Sequence, residues 1–219
     1  MTMEPPQVQA HVRLAKAGRP EGFGALLAAY GPRLYGYFFR ITADRHDAED
    51  LLSEVMLRLV RTIGRYDERG RFEPWLFRIA ANLVRDRFRR RAAAVAALGQ
   101  ACSKDADDPV DSVAGREEPP DSQARQEEER HGLMAALNSL DEPTRQTIVL
   151  RHFSGMSFAE IADVMGCPVG TALARVHRGL RALRARLEGS PDRNRVAAAD
   201  SFDGSGTKHY ERRSQKTHG

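Results

Sequence analysis

Cysteine is nearly absent. Cys102 and Cys167 are the only two in 219 residues. They form no CxxC pair and have no histidine at metal-site spacing, so neither a disulfide framework nor a zinc site is expected. No cofactor is implied. Long apolar runs are also missing: nothing approaches the roughly 20 residues a helix needs to cross a bilayer. Met1 to Ala10 lack the charged-then-apolar pattern of a secretory signal. A cytoplasmic protein is expected. Strand-type alternation is nowhere sustained and no internal repeat occurs, which leaves an all-α fold.

What is present is charge, unevenly distributed. Charged residues make up 29% of the chain, with a net of +4. Residues 101–130 hold ten acids, among them Asp105, Asp107, Glu117 and Glu127, against the four bases Lys104, Arg116, Arg125 and Arg130. That segment carries −6, leaving +10 for the remainder. Such basic surfaces favour polyanions, nucleic acid above all, although charge alone does not separate DNA from RNA or a membrane.

Apolar residues at helical spacing fill residues 21–91 and 131–188, two small helical domains. Between them, 92–130 passes from an alanine-rich run into the acidic, proline-containing stretch, expected as a flexible linker. The Gly-, Ser- and charge-rich tail, 189–219, is expected to be disordered. In the first domain Phe23, Leu27, Tyr30, Leu34, Phe38 and Ile41 step by three or four, with Gly31-Pro32 predicting a kink or break. A second helix is expected from about Asp44 to Ile63, with Ala48, Leu52, Val55 and Leu59 inward. A loop over Gly64 to Arg71 follows, then a third helix over about Glu73 to Arg91. The second domain predicts helices over Leu133–Leu140 and Thr144–Phe153. Ser157 with Glu160 then caps a short helix ending near Gly166, and a longer one continues to about Leu187.

Three helix faces point to function. The short helix, the turn at Gly166 and the long helix have helix-turn-helix proportions. In the long helix Leu173, Val176, Leu180, Leu183 and Leu187 predict one buried stripe, with Arg175, Arg178, Arg181 and Arg186 opposite. An arginine face backed by an apolar stripe suits DNA phosphates or the major groove; a merely solvated face is the plainer alternative. In the third helix Leu76, Ile79 and Leu83 point inward, while Arg78, Asn82, Arg85 and Arg89 form a separate row, enlarged by Arg87, Arg90 and Arg91. Asparagine can read a base edge and arginines hold phosphates. Phe72, Trp75 and Phe77 lie beside this row; Trp75 reads as core, and Tyr66, in the preceding loop, as the better stacking partner for an unpaired base. The second helix carries the acidic row Asp47, Asp50 and Glu54, continued by Arg58 and Arg61. It would repel DNA and suits a protein, or simply stabilises its own helix dipole.

Asp47-Ala48-Glu49-Asp50-Leu51 with Glu54-Val55 resembles region 2.2 of the extracytoplasmic-function (group 4) sigma factors. Phe72, Trp75-Leu76-Phe77-Arg78-Ile79-Ala80 and Asn82 resemble their regions 2.3 and 2.4. Arg145, Gly155, Ser157, Glu160-Ile161-Ala162, Gly166, Pro168 and Gly170-Thr171 resemble region 4. The resemblance implies a non-enzymatic factor that joins core RNA polymerase and promoter DNA, duplex and melted, with an anti-sigma factor as a further candidate partner. Asp47, Asp50 and Glu54 would meet the largest polymerase subunit. Tyr66, Arg78, Asn82, Arg85 and Arg89 would capture the melted −10 element, Asn82 reading a flipped-out base. Thr171, Arg175, His177, Arg178 and Arg181 would bind the −35 element.

The chain departs from the family pattern in two places. Ser53 stands where Gln is common, and Thr171-Ala172-Leu173-Ala174-Arg175 replaces Thr-Val-Lys/Arg-Ser-Arg. Reading of −35 could then be apolar, weak, or carried by neighbours. Two rival readings follow from the residues alone. A conventional helix-turn-helix regulator leaves the Trp75–Asn82 set unexplained. A metal-dependent phosphodiesterase would use Asp47, Glu49, Asp50 and Glu54, but lacks an accompanying Lys or His.

Overall fold

A computed structural model describes residues 5–67, 71–97 and 120–188, and every regular element among them is helical. The first domain comprises α1 (Pro5–Lys16), α2 (Pro20–Thr42), α3 (Arg45–Thr62), a 3-10 turn over Ile63–Arg65, and α4 (Phe72–Ala97). The second comprises α5 (Pro120–Asn138), α6 (Glu142–His152), α7 (Phe158–Met165) and α8 (Val169–Glu188). Helix thus covers 92–97 and 120–130 at the two ends of the segment expected as linker. The middle of that segment, Cys102 and the tail 189–219 lie outside the described residues.

The predicted break at Gly31-Pro32 does not occur, and α2 runs unbroken through Pro32. Proline removes the N–H that would bond the carbonyl of Ala28, and both residues face outward, where water can satisfy that carbonyl. Burial of Leu26, Tyr30, Leu34, Phe38 and Ile41 on both sides of the proline holds the helix together. In α3 the inward set is Ala48, Leu51, Val55 and Leu59, with Leu52 only half-buried. Asp44 starts this helix by accepting the Asp47 backbone N–H at 2.8 Å.

Helix α1 was not anticipated from the sequence. Its Val8, Val12 and Ala15 are buried against α2. The close approach depends on Gly22, where a Cβ would lie 2.4 Å from the Ala15 backbone nitrogen and 2.8 Å from the His11 carbonyl oxygen. Gly22→Ala is expected to push α1 off α2 and cost about 2 kcal/mol, outweighing the helix-propensity gain of alanine. An unchanged urea midpoint would contradict this packing.

The turn chemistry of the second domain follows the sequence. Ser157 Oγ accepts the Glu160 N–H while the Glu160 carboxylate accepts the Ser157 N–H at 2.8 Å. Gly166 ends α7 at φ 63°, a left-handed conformation that favours glycine. Gly179 lets α8 lie directly on α6: a Cβ there would come within 2.4 Å of Ile148 Cδ1 and 2.7 Å of Thr144 Cγ2.

The two domains share a core. Val149, Leu150, Met156, Ile161, Val164, Met165 and Ala172 pack in one cluster with the apolar residues of α1–α4. A smaller cluster, Ala136, Leu137, Ile148 and Leu183, holds α5, α6 and α8 together.

Candidate protein and nucleic-acid interfaces

The acidic row of α3 divides by burial. The Asp47 carboxylate is bonded by Arg87 and lies 3.7 Å from Arg91, both on α4; its side chain is 17% exposed. Asp50 lies 3.7 Å from Arg87 yet remains 70% exposed. Glu54 pairs with Arg58 at 3.2 Å, one turn along. Asp47 therefore ties α3 to α4, while Asp50 and Glu54 look outward. Leu57, 57% exposed, stands seven residues after Asp50 on the same face, and Val60 is exposed beside it. The sequence reading missed these two, although a leucine two turns along an acidic face was a signal that could have found them. Of the carboxylates of the metal-site rival, Asp47 and Asp50 both face Arg87, while Glu49 and Glu54 pair with Arg45 and Arg58.

On α4 the outward row is as expected, but it is occupied. Asn82 is exposed, and its Oδ1 accepts from Arg85 Nη2 at 2.5 Å. Arg89 pairs with Asp86 at 3.0 Å. Arg78 Nε donates to the Asp163 carbonyl at 3.0 Å, and Arg71 binds the Asp163 carboxylate. Phe77 lies in the core rather than beside the row. Tyr66 is 5% exposed, its ring 4.8 Å from Trp75 and 5.5 Å from Phe72, with its carbonyl accepting from Lys16 Nζ at 2.8 Å. Of this aromatic trio Trp75 is the more open, the reverse of the order read from the sequence.

On α8 the buried side is Ala172, Val176, Gly179 and Leu183. This corrects the expected stripe: Leu173 and Leu180 lie on its shoulder and are exposed, and Leu187 is half-buried. A side chain at 173 or 180 sits roughly 60–90° around the helix from the centre of the buried row, too far to reach α6. Small residues at 172 and 179 bring the two helices close instead. His177, Arg178 and Arg181 are exposed, and Thr171 and Arg175 half-buried. Among the described residues Arg178 and Arg181 form no ion pair.

A polar seam joins the domains. Tyr37 Oη donates to Gln146 Oε1 at 2.5 Å, and Gln146 Nε2 donates to Glu142. Arg33 bonds Glu73 and also the Ser154 carbonyl at 2.9 Å. Arg40 stacks over Phe153 at 4.1 Å. Arg145, 8% exposed, donates to the carbonyls of Ile41 at 2.5 Å, Asn138 at 3.1 Å and Leu140 at 3.0 Å, and to Asn138 Oδ1 at 2.8 Å. Burial raises the Glu142 carboxyl above its ordinary range, only partly opposed by Arg85 and Arg145. Burial, then the Glu142 charge, pushes the Tyr37 hydroxyl up, and burial pulls the Arg145 guanidinium down.

Comparisons with known proteins agree with this layout. Residues 26–94 match the family Sigma-70 region 2, and residues 130–183 match Sigma-70, region 4. The RNA polymerase sigma factor CarQ of Myxococcus xanthus is 35% identical over 78% of this chain and 91% of its own length. The ECF RNA polymerase sigma factor SigW of Bacillus subtilis is 26% identical over 82% of this chain and 96% of its own. Among solved structures, CnrH in complex with the cytosolic domain of CnrY superposes with a TM-score of 0.59 at 26% identity, covering 83% of this chain and 97% of that one. The sigma factor RpoE of Bartonella quintana, in complex with the anti-sigma factor NepR, shares the fold with a TM-score of 0.61 at 24% identity, over 77% and 98%. Two helical domains in this order, with region 2 and region 4 each matched, place the chain in the extracytoplasmic-function family of RNA polymerase sigma factors.

Proposed function

We propose a division of labour among three helices of this alternative sigma factor, which supplies promoter recognition and strand opening while core polymerase performs the chemistry. The outer face of α3, with Asp50 and Glu54 and the exposed Leu57, grips core polymerase; Asp47 contributes mainly by anchoring α3 to α4. The α4 row of Arg78, Asn82, Arg85 and Arg89 holds the melted −10 strand, with Tyr66 and Trp75 forming its aromatic wall. The exposed side of α8, with Thr171, Arg175, His177, Arg178 and Arg181, takes the −35 duplex. The observation that carries this reading is the segregation of charge: an outward acidic patch on α3, and outward arginines on α4 and α8.

In the arrangement described, Arg78 is already committed to α7, so binding to the −10 strand requires the second domain to leave α4. An anti-sigma partner belongs to the same proposal, since a protein that held α4 and α8 away from DNA would silence both promoter contacts. The site of action is the cytoplasm, where polymerase and promoter meet. No helix among the described residues is long and apolar enough to cross a membrane.

Asn82→Ala is expected to reduce open-complex formation about tenfold, the order expected from losing one base's contacts, while core binding stays within twofold. Permanganate footprinting beside a polymerase pull-down checks this, and equal loss in both would defeat the assignment. Asp50→Arg is expected to weaken core binding, because a reversed charge on a complementary face costs attraction and adds repulsion. An unchanged affinity for core polymerase refutes it.

A further inference from the structure

The exposed surface of α8 is not uniformly basic. At its first two turns Val169 is 50% exposed and Leu173 41%, with Ala174 exposed next to Leu173; Leu180 is 38% exposed two turns further on. These are not core residues that fall slightly short of burial. The core of the second domain is closed by Ala172, Val176, Gly179 and Leu183 on another side of the helix. Val169, Leu173 and Ala174 fall close together at the start of the helix, and a contiguous exposed apolar patch of that kind marks a candidate contact surface.

The surroundings specify the kind of ligand. His177 stands one turn beyond Leu173 and Arg178 one turn beyond Ala174, both exposed at the C-terminal border of the patch, and Arg178 forms no ion pair among the described residues. A capped helix, a glycine turn and then α8 place Val169, Leu173 and Ala174 at the start of the second helix of a helix-turn-helix, the part that enters the major groove. There one apolar group is presented by base pairs, the C5-methyl of thymine. An apolar patch bordered by Arg178 therefore matches thymine methyls beside a phosphate.

We propose that Leu173, with Val169 and Ala174, reads thymine methyl groups in the −35 element and sets its sequence preference. This rests on α8 being the −35 helix. Leu180 lies about 10 Å further along the axis, at 1.5 Å of rise per residue, outside the reading turn.

The test uses the full chain assembled with core polymerase. Duplexes randomised across −35 are selected for binding, and each thymine recovered is then replaced by deoxyuridine, which lacks only the methyl. Thymine is expected at one or more positions, and each contacted methyl is expected to contribute about fourfold in affinity. In Leu173→Ala the deoxyuridine penalty should fall below about twofold, the residue left by the smaller contact surface, whereas Leu180→Ala should keep it. Equal binding of thymine and deoxyuridine duplexes by the unmodified protein overturns the proposal. So does a full penalty in Leu173→Ala, or a Leu173→Ala that loses polymerase assembly rather than methyl discrimination. Failure of the underlying reading looks different: Arg178→Ala would then leave duplex affinity unchanged altogether.

Discussion

Replacing Arg145 with alanine should cost about 3 kcal/mol of stability, in the range for removing one member of a buried, hydrogen-bonded charged group. Arg145 is buried yet satisfies three backbone carbonyls and one side-chain oxygen. Two of the carbonyls, Asn138 and Leu140, terminate α5 and lead into α6, where no helical N–H remains for them. The third, Ile41, ends α2 in the other domain. Alanine leaves all of these acceptors without a donor and opens a void beside Phe88, over which the guanidinium lies at 5.9 Å. Lysine should rescue little, because an ammonium on a flexible stem cannot serve acceptors spread across a planar fork. For a domain of this size such a loss should lower the melting temperature by roughly 10–20 °C, read by calorimetry or circular dichroism. A shift under about 3 °C, less than 1 kcal/mol, would show that Arg145 is dispensable to the seam.

Arg145 also illustrates what the sequence made legible. It entered the reading through a family motif, with no physical role attached, because a lone arginine in a helix carries no signal of what it will meet. Local features were readable: the Ser157–Glu160 capping box, the Gly166 turn, and the helices now seen as α3, α4, α7 and α8. Their signals lie within a few residues of one another. Features set by long-range packing were not. Leu173 and Leu180 fit a heptad stripe as well as the buried row does, and only the close approach of α6 at Gly179 decides which row is covered. Tyr66 sits in a loop, which suggested exposure, but Phe72, Trp75 and Lys16 of α1 close over it. α1 itself shows Val8, Val12 and Ala15 at helical spacing, but a short segment beginning Pro5-Pro6 gave too brief a pattern to stand out. The union of the two domains left no trace in composition, since its residues are drawn from α2, α4, α6 and α7.

That union makes the second large prediction. Asp163 faces two arginines of the first domain, Arg71 through its carboxylate and Arg78 through its carbonyl. Asp163→Arg sets three positive charges together and should drive α7 from α4. The ion pair is more than one-third exposed, so the attraction lost is modest, and the added repulsion supplies the rest. If the open form is now a minority of about one part in ten, releasing it raises apparent affinity for a single-stranded −10 oligonucleotide about tenfold. Asp163→Asn, which removes attraction without adding a charge that could itself bind DNA, should move the same way by a smaller factor. Small-angle scattering should show both variants expanded. Acidity supplies an independent handle. Glu142 sits beside Tyr37 and Arg85 across the seam, and its carboxyl is raised by burial from an ordinary value of 4.5. The part of that burial supplied by the first domain favours the protonated acid and the Arg85 charge opposes it, so docking is expected to weaken as pH rises through the raised value. Glu142→Gln removes that dependence and should make the docked form persist at neutral pH, lowering oligonucleotide affinity where Asp163→Arg raises it. Two variants at separate points along the same seam, each adding positive charge, that move affinity in opposite directions form a pattern that a non-specific change in surface charge would not produce. If both left scattering and affinity unchanged, the seam would have no hold on the −10 face.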